Sequence, residues 1–262
     1  MSFVLVSVSR LKGGSMIGAV ERMGRFVHFA ARALPASAAA LLEPREWSRQ
    51  LYVVLVGALP LGLVTGLALG IVVWMHLHGV VSAEYAVHVP KYLAMAVVLE
   101  FGPLGAGLVV AGRTGASLGA ELGSMKVTEQ IDALEAMGLS PWRHLIGPRV
   151  LACLVSLPIL TVYIGAVAIG GSFLAEMLGG TLSATQYRLE VMRGLAEAQP
   201  VPSTLKTVVF GYLIGVAGCH IGMNAAGGTE GVGQAATRSV VASILLVLIA
   251  NVVLVKVIQM TT

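Results

Sequence analysis

Few residues in this 262-residue chain could do chemistry, and those that could stand out because their surroundings are apolar. Glu100 is the sharpest case: it lies in a run from Lys91 to about Gly112 and is followed by Gly102 and Pro103. Nine residues in from Lys91 amounts to roughly 14 Å of helix, which is close to mid-bilayer. An ionisable group there is costly. It marks either a transport path or a hydrogen-bonded tie between helices. Asn251 is a similar lone polar residue in the last apolar run. The second group is acidic and reads as one short helix, holding Glu129, Gln130, Asp132, Ala133, Glu135 and, at its end, Gly138. Thr128 is the expected N-cap, with Glu129 and Asp132 in or near the first turn, where the helix dipole favours anions. Gly138 suits the left-handed position past the end, and Ser140-Pro141 opens the next helix. Val127, Ile131 and Leu134 share one face, leaving the acids elsewhere. Such a helix between two membrane spans predicts a docking element for a soluble partner.

Other chemistry is weakly represented. His76, His78, Glu84 and His88 fall in an expected outer loop without a convincing third ligand, so they read as solvated and no metal site is expected. Cys153 and Cys219 sit in apolar runs without metal spacing and read as small core residues. Gly107 to Thr114 has the outline of a phosphate loop with Arg113 in place of lysine. It ends a spanning helix and does not follow a buried strand, so no ATPase site is expected in this chain. There is no HExxH, no GxSxG elbow on a strand-to-helix turn and no pair of catalytic carboxylates, and nothing recommends an enzyme. The net charge of +4 reflects loop lysines and arginines near lipid and not a nucleic-acid surface.

The elements that must position these residues are set by composition. The chain is 56% hydrophobic and 11% charged, with a mean hydropathy of +0.87. Runs of this length without charge make an all-α polytopic membrane protein. Residues 1–50 form an N-terminal arm with seven of the seventeen Lys and Arg. Between Met16 and Leu34 a helical stripe opposes Glu21, Arg25, His28 and Arg32, which predicts an amphipathic helix in the membrane interface. No cleaved signal is expected in the first residues. Residues 51–262 are expected to form a membrane domain of five transmembrane helices near 51–75, 91–112, 150–174, 207–222 and 239–257. The first carries Gly62, Gly66 and Gly70, a small-residue face for helix packing within the chain or across a dimer. Between spans three and four a short helix is expected at Gln186–Ala198. Twelve of the seventeen basic residues lie inside if the arm is cytoplasmic. That bias predicts N-terminus in, C-terminus out, with the 129–138 helix in the cytoplasm.

Several motifs together resemble one family. Gly102-Pro103, Ala111-Gly112-Arg113, Ala120-Glu121-Leu122-Gly123, Val127 to Leu134, Met137-Gly138 and Pro148-Arg149 are similar to the MlaE (YrbE) permeases of lipid-transporting ABC systems. So are Gly227-Gly228, Glu230 to Gly233 and Thr237 to Val241. The resemblance covers residues 90–255 well and the first 45 hardly at all. It implies a homodimer in a bacterial inner membrane, bound to two cytoplasmic ABC ATPase subunits and capped by an MCE-domain periplasmic protein. The cargo implied is phospholipid moving between inner membrane and periplasm, with ATP held by the partner and no cofactor on this chain. It also implies that Glu129, Gln130 and Asp132 belong to the coupling helix and that Glu100 lies near the lipid cavity. Leu99 stands where the family has Arg, so a charge pair beside Glu100 is expected to be missing. Asn251 stands where Asp is frequent, which lowers the expected polarity of the cavity. Two other readings remain: a proton-coupled secondary transporter using Glu100, and a membrane scaffold without transport.

Overall fold

The computed structural model describes residues 14–82, 85–198 and 200–261, and every regular element among them is helical. Residues 1–13 of the arm and Glu84 of the expected outer loop lie outside them. Five helices are long and apolar enough to cross a membrane: α2 (Pro44–Val80), α3 (Ala86–Val127), α5 (Trp142–Gly179), α7 (Pro200–Met223) and α8 (Gly228–Thr261). The chain is an all-α polytopic membrane protein. Three further helices complete it: α1 (Gly14–Ala40), α4 (Gln130–Ala136) and α6 (Ala184–Ala198).

Every spanning helix runs past the apolar stretch that announces it, because hydropathy marks contact with lipid whereas turn chemistry sets the ends. α2 and α7 both begin on a proline, tolerated in the first turn where its missing N–H costs no bond. α7 therefore starts before residue 207 and takes Lys206 into the helix. His76 and His78, expected in a loop, lie on the last turns of α2. The His76 ring nitrogen Nδ1 lies 2.8 Å from the Val72 carbonyl oxygen, and the His78 ring stacks 4.9 Å from Trp74. α3 is not uniform: wide π turns at Val97–Phe101 and Ala111–Gly115 interrupt it. Such turns re-aim side chains and are frequent at functional sites.

α5 is the central element. Leu157, Leu160 and Ile164 on it are fully buried against Val110 of α3 and Phe210 and Ile214 of α7. Its largest interface is with α2, and the Gly62, Gly66 and Gly70 face lies there, within one chain. A β-carbon at Gly66 would stand 2.9 Å from the Ile164 carbonyl oxygen, and one at Gly70 would fall onto that of Ala168. Only glycine lets the two backbones approach this closely. Buried Glu176 locks the far end of this pair. It accepts a hydrogen bond from Trp74 Nε1 at 2.6 Å and two more from the backbone amides of Thr181 and Leu182. At the other end α1 buries Phe29 and Ala33 against Leu145, Ile146 and Val150 of α5. Arg32 lies 4.6 Å over the Trp142 ring, and Arg143 Nε donates to Glu43 at 2.7 Å. α8 is the least enclosed span, with 11% of its apolar window buried against 56% for α5, so most of its surface is free for lipid or another chain.

Candidate functional site

A cavity of about 630 Å³ opens between α3, α7 and α8. Its walls include Val252, Val255 and Ile258, and its polar groups are Glu100, Ser203, Lys206, Asn251, Lys256 and Gln259. Glu100 comes from the first π turn of α3, Lys206 from the second turn of α7, and Asn251 from the inner face of α8. The three meet at one point. Lys206 Nζ donates to Glu100 Oε1 at 2.9 Å and to the Leu99 carbonyl oxygen at 2.8 Å, while Asn251 Nδ2 donates to Glu100 Oε2 at 3.1 Å. The Lys206 side chain is 2% exposed and that of Glu100 37%. The pair is thus sealed on the lysine side and open to the cavity on the other. Asn251 Oδ1 has no hydrogen-bond partner, which leaves an acceptor at the wall.

The charge pair expected to be missing beside Glu100 is present. The cation does not come from residue 99 but from Lys206, 106 positions away in sequence. Sequence reasoning missed it because the fourth span was expected to begin at residue 207, one position after Lys206. A lysine six residues after Pro200 and directly before an apolar run was the available signal. Gly102 and Pro103 do not line this cavity. They border a separate hollow of about 240 Å³ with Thr161 and Gly165 of α5. The structure brings Glu100 and Asn251 together and sends Gly102 and Pro103 elsewhere.

The acidic segment forms α4 at the opposite end of α3 from the α6 contacts. Thr128 is not its N-cap. Its hydroxyl donates back to the Ser124 carbonyl oxygen at 2.8 Å and closes α3. Glu129 precedes the helix with φ 59°, the left-handed conformation that the sharp reversal demands. Gly138 is left-handed as expected, at φ 77°, and Leu139 N–H reaches back to the Leu134 carbonyl oxygen at 3.0 Å. These bonds end the helix in a Schellman-type turn. Ile131 is 2% exposed and Leu134 packs beside it, on the same core cluster as Phe29 of α1. Glu129, Gln130, Asp132, Ala133 and Glu135 face outward. Lys126 Nζ holds Asp132 at 2.8 Å. Behind α4, buried Arg149 donates to the Leu145 carbonyl oxygen at 3.0 Å and to Glu121 at 3.2 Å, tying the ends of α3 and α5 that flank the helix. A force on α4 therefore reaches two spanning helices through packed and hydrogen-bonded neighbours. Among the described residues no group of three metal-ligating side chains exists.

Comparison with known proteins identifies the family. A family model described as permease MlaE matches residues 47–257. A probable ABC transporter permease protein of Rickettsia typhi is 30% identical over 249 residues, covering 95% of this chain and 96% of that protein. One from Synechocystis is 36% identical over 167 residues, covering 61% and 60%. The chloroplastic protein TRIGALACTOSYLDIACYLGLYCEROL 1 of Arabidopsis thaliana is 38% identical over 162 residues, covering 62% of this chain and 46% of its own length. With five spanning helices and this match over most of its length, the chain belongs to the MlaE family of ABC transporter permeases.

Proposed function

We infer that this chain is the membrane half of a lipid transporter, moving a phospholipid between the inner membrane and the periplasm. The observation that carries this reading is the cavity at Glu100, Lys206 and Asn251. It is a hollow whose open wall is mostly apolar, with Glu100, Lys206 and Asn251 meeting at one point of it, as an amphiphile with tails and a charged head requires. A relative bearing the name of a galactolipid supports a lipid as cargo. Two copies would meet across α8, whose apolar surface is mostly uncovered, and so enlarge the cavity. The outward acids of α4 form the docking surface for a cytoplasmic ATPase subunit that binds and hydrolyses ATP, and an MCE-domain protein receives or delivers lipid on the far side. The excess of basic residues around α1 and α4 supports an N-in, C-out topology.

In this mechanism nucleotide acts through a distant site, by differential binding to two arrangements of the permease. Closure of the ATPases presses on α4. Ile131, Arg149 and Glu121 pass the displacement to α3 and α5, and the movement of α3 against α8 changes the cavity around Glu100. The test is charge reversal at Glu129 and Asp132 to lysine. ATPase co-purification and lipid-stimulated ATP hydrolysis are expected to be lost while the permease still folds, since both side chains are exposed. Unchanged assembly and hydrolysis would discard the coupling role of α4.

A further inference from the structure

Away from the Glu100 cavity, three adjoining hollows of about 390, 240 and 480 Å³ follow one side of α5. The first and second share Val162, Pro200 and Thr204, and the second and third share Ala166, Ile169 and Leu195. They form one continuous groove, from Pro158 near the middle of α5 to Phe173 beneath α6. None of its lining residues lines the Glu100 cavity. The groove is almost wholly apolar, since the Thr161, Thr204 and Tyr187 hydroxyls on it all donate to backbone carbonyls, and its one charged residue, Arg188, lies on the wall at the α6 end. Arg188 is exposed and has no carboxylate partner among the described residues. Its neighbours are paired: Arg193 with Glu190, and Lys91 with Glu197 at 2.7 Å.

We propose that this groove is a binding site for one anionic phospholipid, with an acyl chain laid along α5 and the phosphate held by Arg188. Length supports it. Fifteen residues from Pro158 to Phe173 span about 22 Å of helix, which matches one leaflet with its headgroups, about 20–22 Å. Charge supports it as well, because a planar guanidinium free of acids is suited to bidentate contact with a phosphate. Width separates a chain from a protein helix. The central hollow is a slot of about 240 Å³ reaching Gly102 and Gly165, whereas a helix with its side chains is about 10–12 Å across. The site is separate from the transport cavity, so it stands or falls independently of the proposed function.

The test uses the full chain in lipid nanodiscs, alone and together with its co-purified partner subunits, probed with a phosphatidylglycerol whose acyl chain carries a photoactivatable diazirine. Labelling is expected on peptides covering residues 158–173 and 187–195. A β-carbon at Gly170 would meet nothing within 4 Å, so Gly170→Phe fills the groove without disturbing the fold. Exposed Ala166→Leu narrows the same place. Both variants should lose most of the labelling. Arg188→Gln should reduce labelling by the phosphatidylglycerol about fivefold, the gain one basic side chain gives toward an anionic lipid surface. Labelling by a diazirine diacylglycerol, which has no phosphate, should stay unchanged in that variant. Equal labelling of wild type and both plugged variants overturns the site, and insensitivity to Arg188→Gln overturns the phosphate contact. Replacement of lipid labelling by protein–protein cross-links at these peptides in the assembled complex would assign the groove to a partner's helix and refute the proposal.

Discussion

Breaking the Glu100–Lys206 pair from either side should cost different amounts, and the structure predicts which side costs more. Replacing Glu100 by Leu leaves the Lys206 ammonium, 2% exposed, with the Leu99 carbonyl oxygen at 2.8 Å as its remaining partner. An uncompensated buried charge of this kind costs about 3–5 kcal/mol. Replacing Lys206 by Met leaves a carboxylate that keeps Asn251 at 3.1 Å and is already 37% exposed. Discounted for that screening, the expected cost is about 1–2 kcal/mol. The double variant removes both charges together and should be more stable than Glu100→Leu alone. Reversible unfolding in mixed detergent micelles, arranged as a double-mutant cycle, measures all three. Costs that add within about 0.5 kcal/mol, the usual range for independent sites, would show that the two groups do not interact. A larger loss for Lys206→Met than for Glu100→Leu would refute the assignment of the sealed and open sides.

Other perturbations test separate parts of the molecule. Gly70→Ala should destabilise by about 1–3 kcal/mol through overpacking against the Ala168 carbonyl, whereas Gly79→Ala, which meets nothing, should not; thermal stability of the two purified variants compares them. Glu129→Gly should be neutral or stabilising by up to about 1 kcal/mol, since it relieves a left-handed glutamate, and hydrogen exchange of residues 130–136 should slow or stay the same. At α6, burial alone would raise the Glu190 carboxyl, but hydrogen bonds from His88 and Arg193 outweigh it and hold the pKa below its ordinary 4.5. A depressed carboxyl stabilises the fold above its unfolded pKa and loses that contribution as pH falls through the folded value. Hydrogen exchange across Ala184–Ala198 should therefore be unaffected by this group at neutral pH and accelerate below about pH 4.5, an acid dependence that Glu190→Gln removes.

The sequence by itself determined the number of spanning helices, the short acidic helix with its glycine stop, and the resemblance to MlaE permeases. Those features are local: hydropathy over about twenty residues, or a few turn-forming residues in order, suffices to encode each one. It also singled out Glu100 and Asn251, since a lone polar group in an apolar run is conspicuous wherever it ends up. Only the tertiary structure decided what those groups meet. Lys206 and Asn251 approach Glu100 from 106 and 151 residues away, and no local pattern encodes an encounter between three helices. The same holds for Glu176 receiving Trp74 across 102 positions, and for the glycine face of α2 choosing α5 instead of a second chain. Gly102 and Pro103 border the hollow beside α5 and not the cavity at Glu100, a choice of neighbour that packing settles. Membrane insertion reads composition segment by segment, while the cavity exists only once the helices have packed against one another.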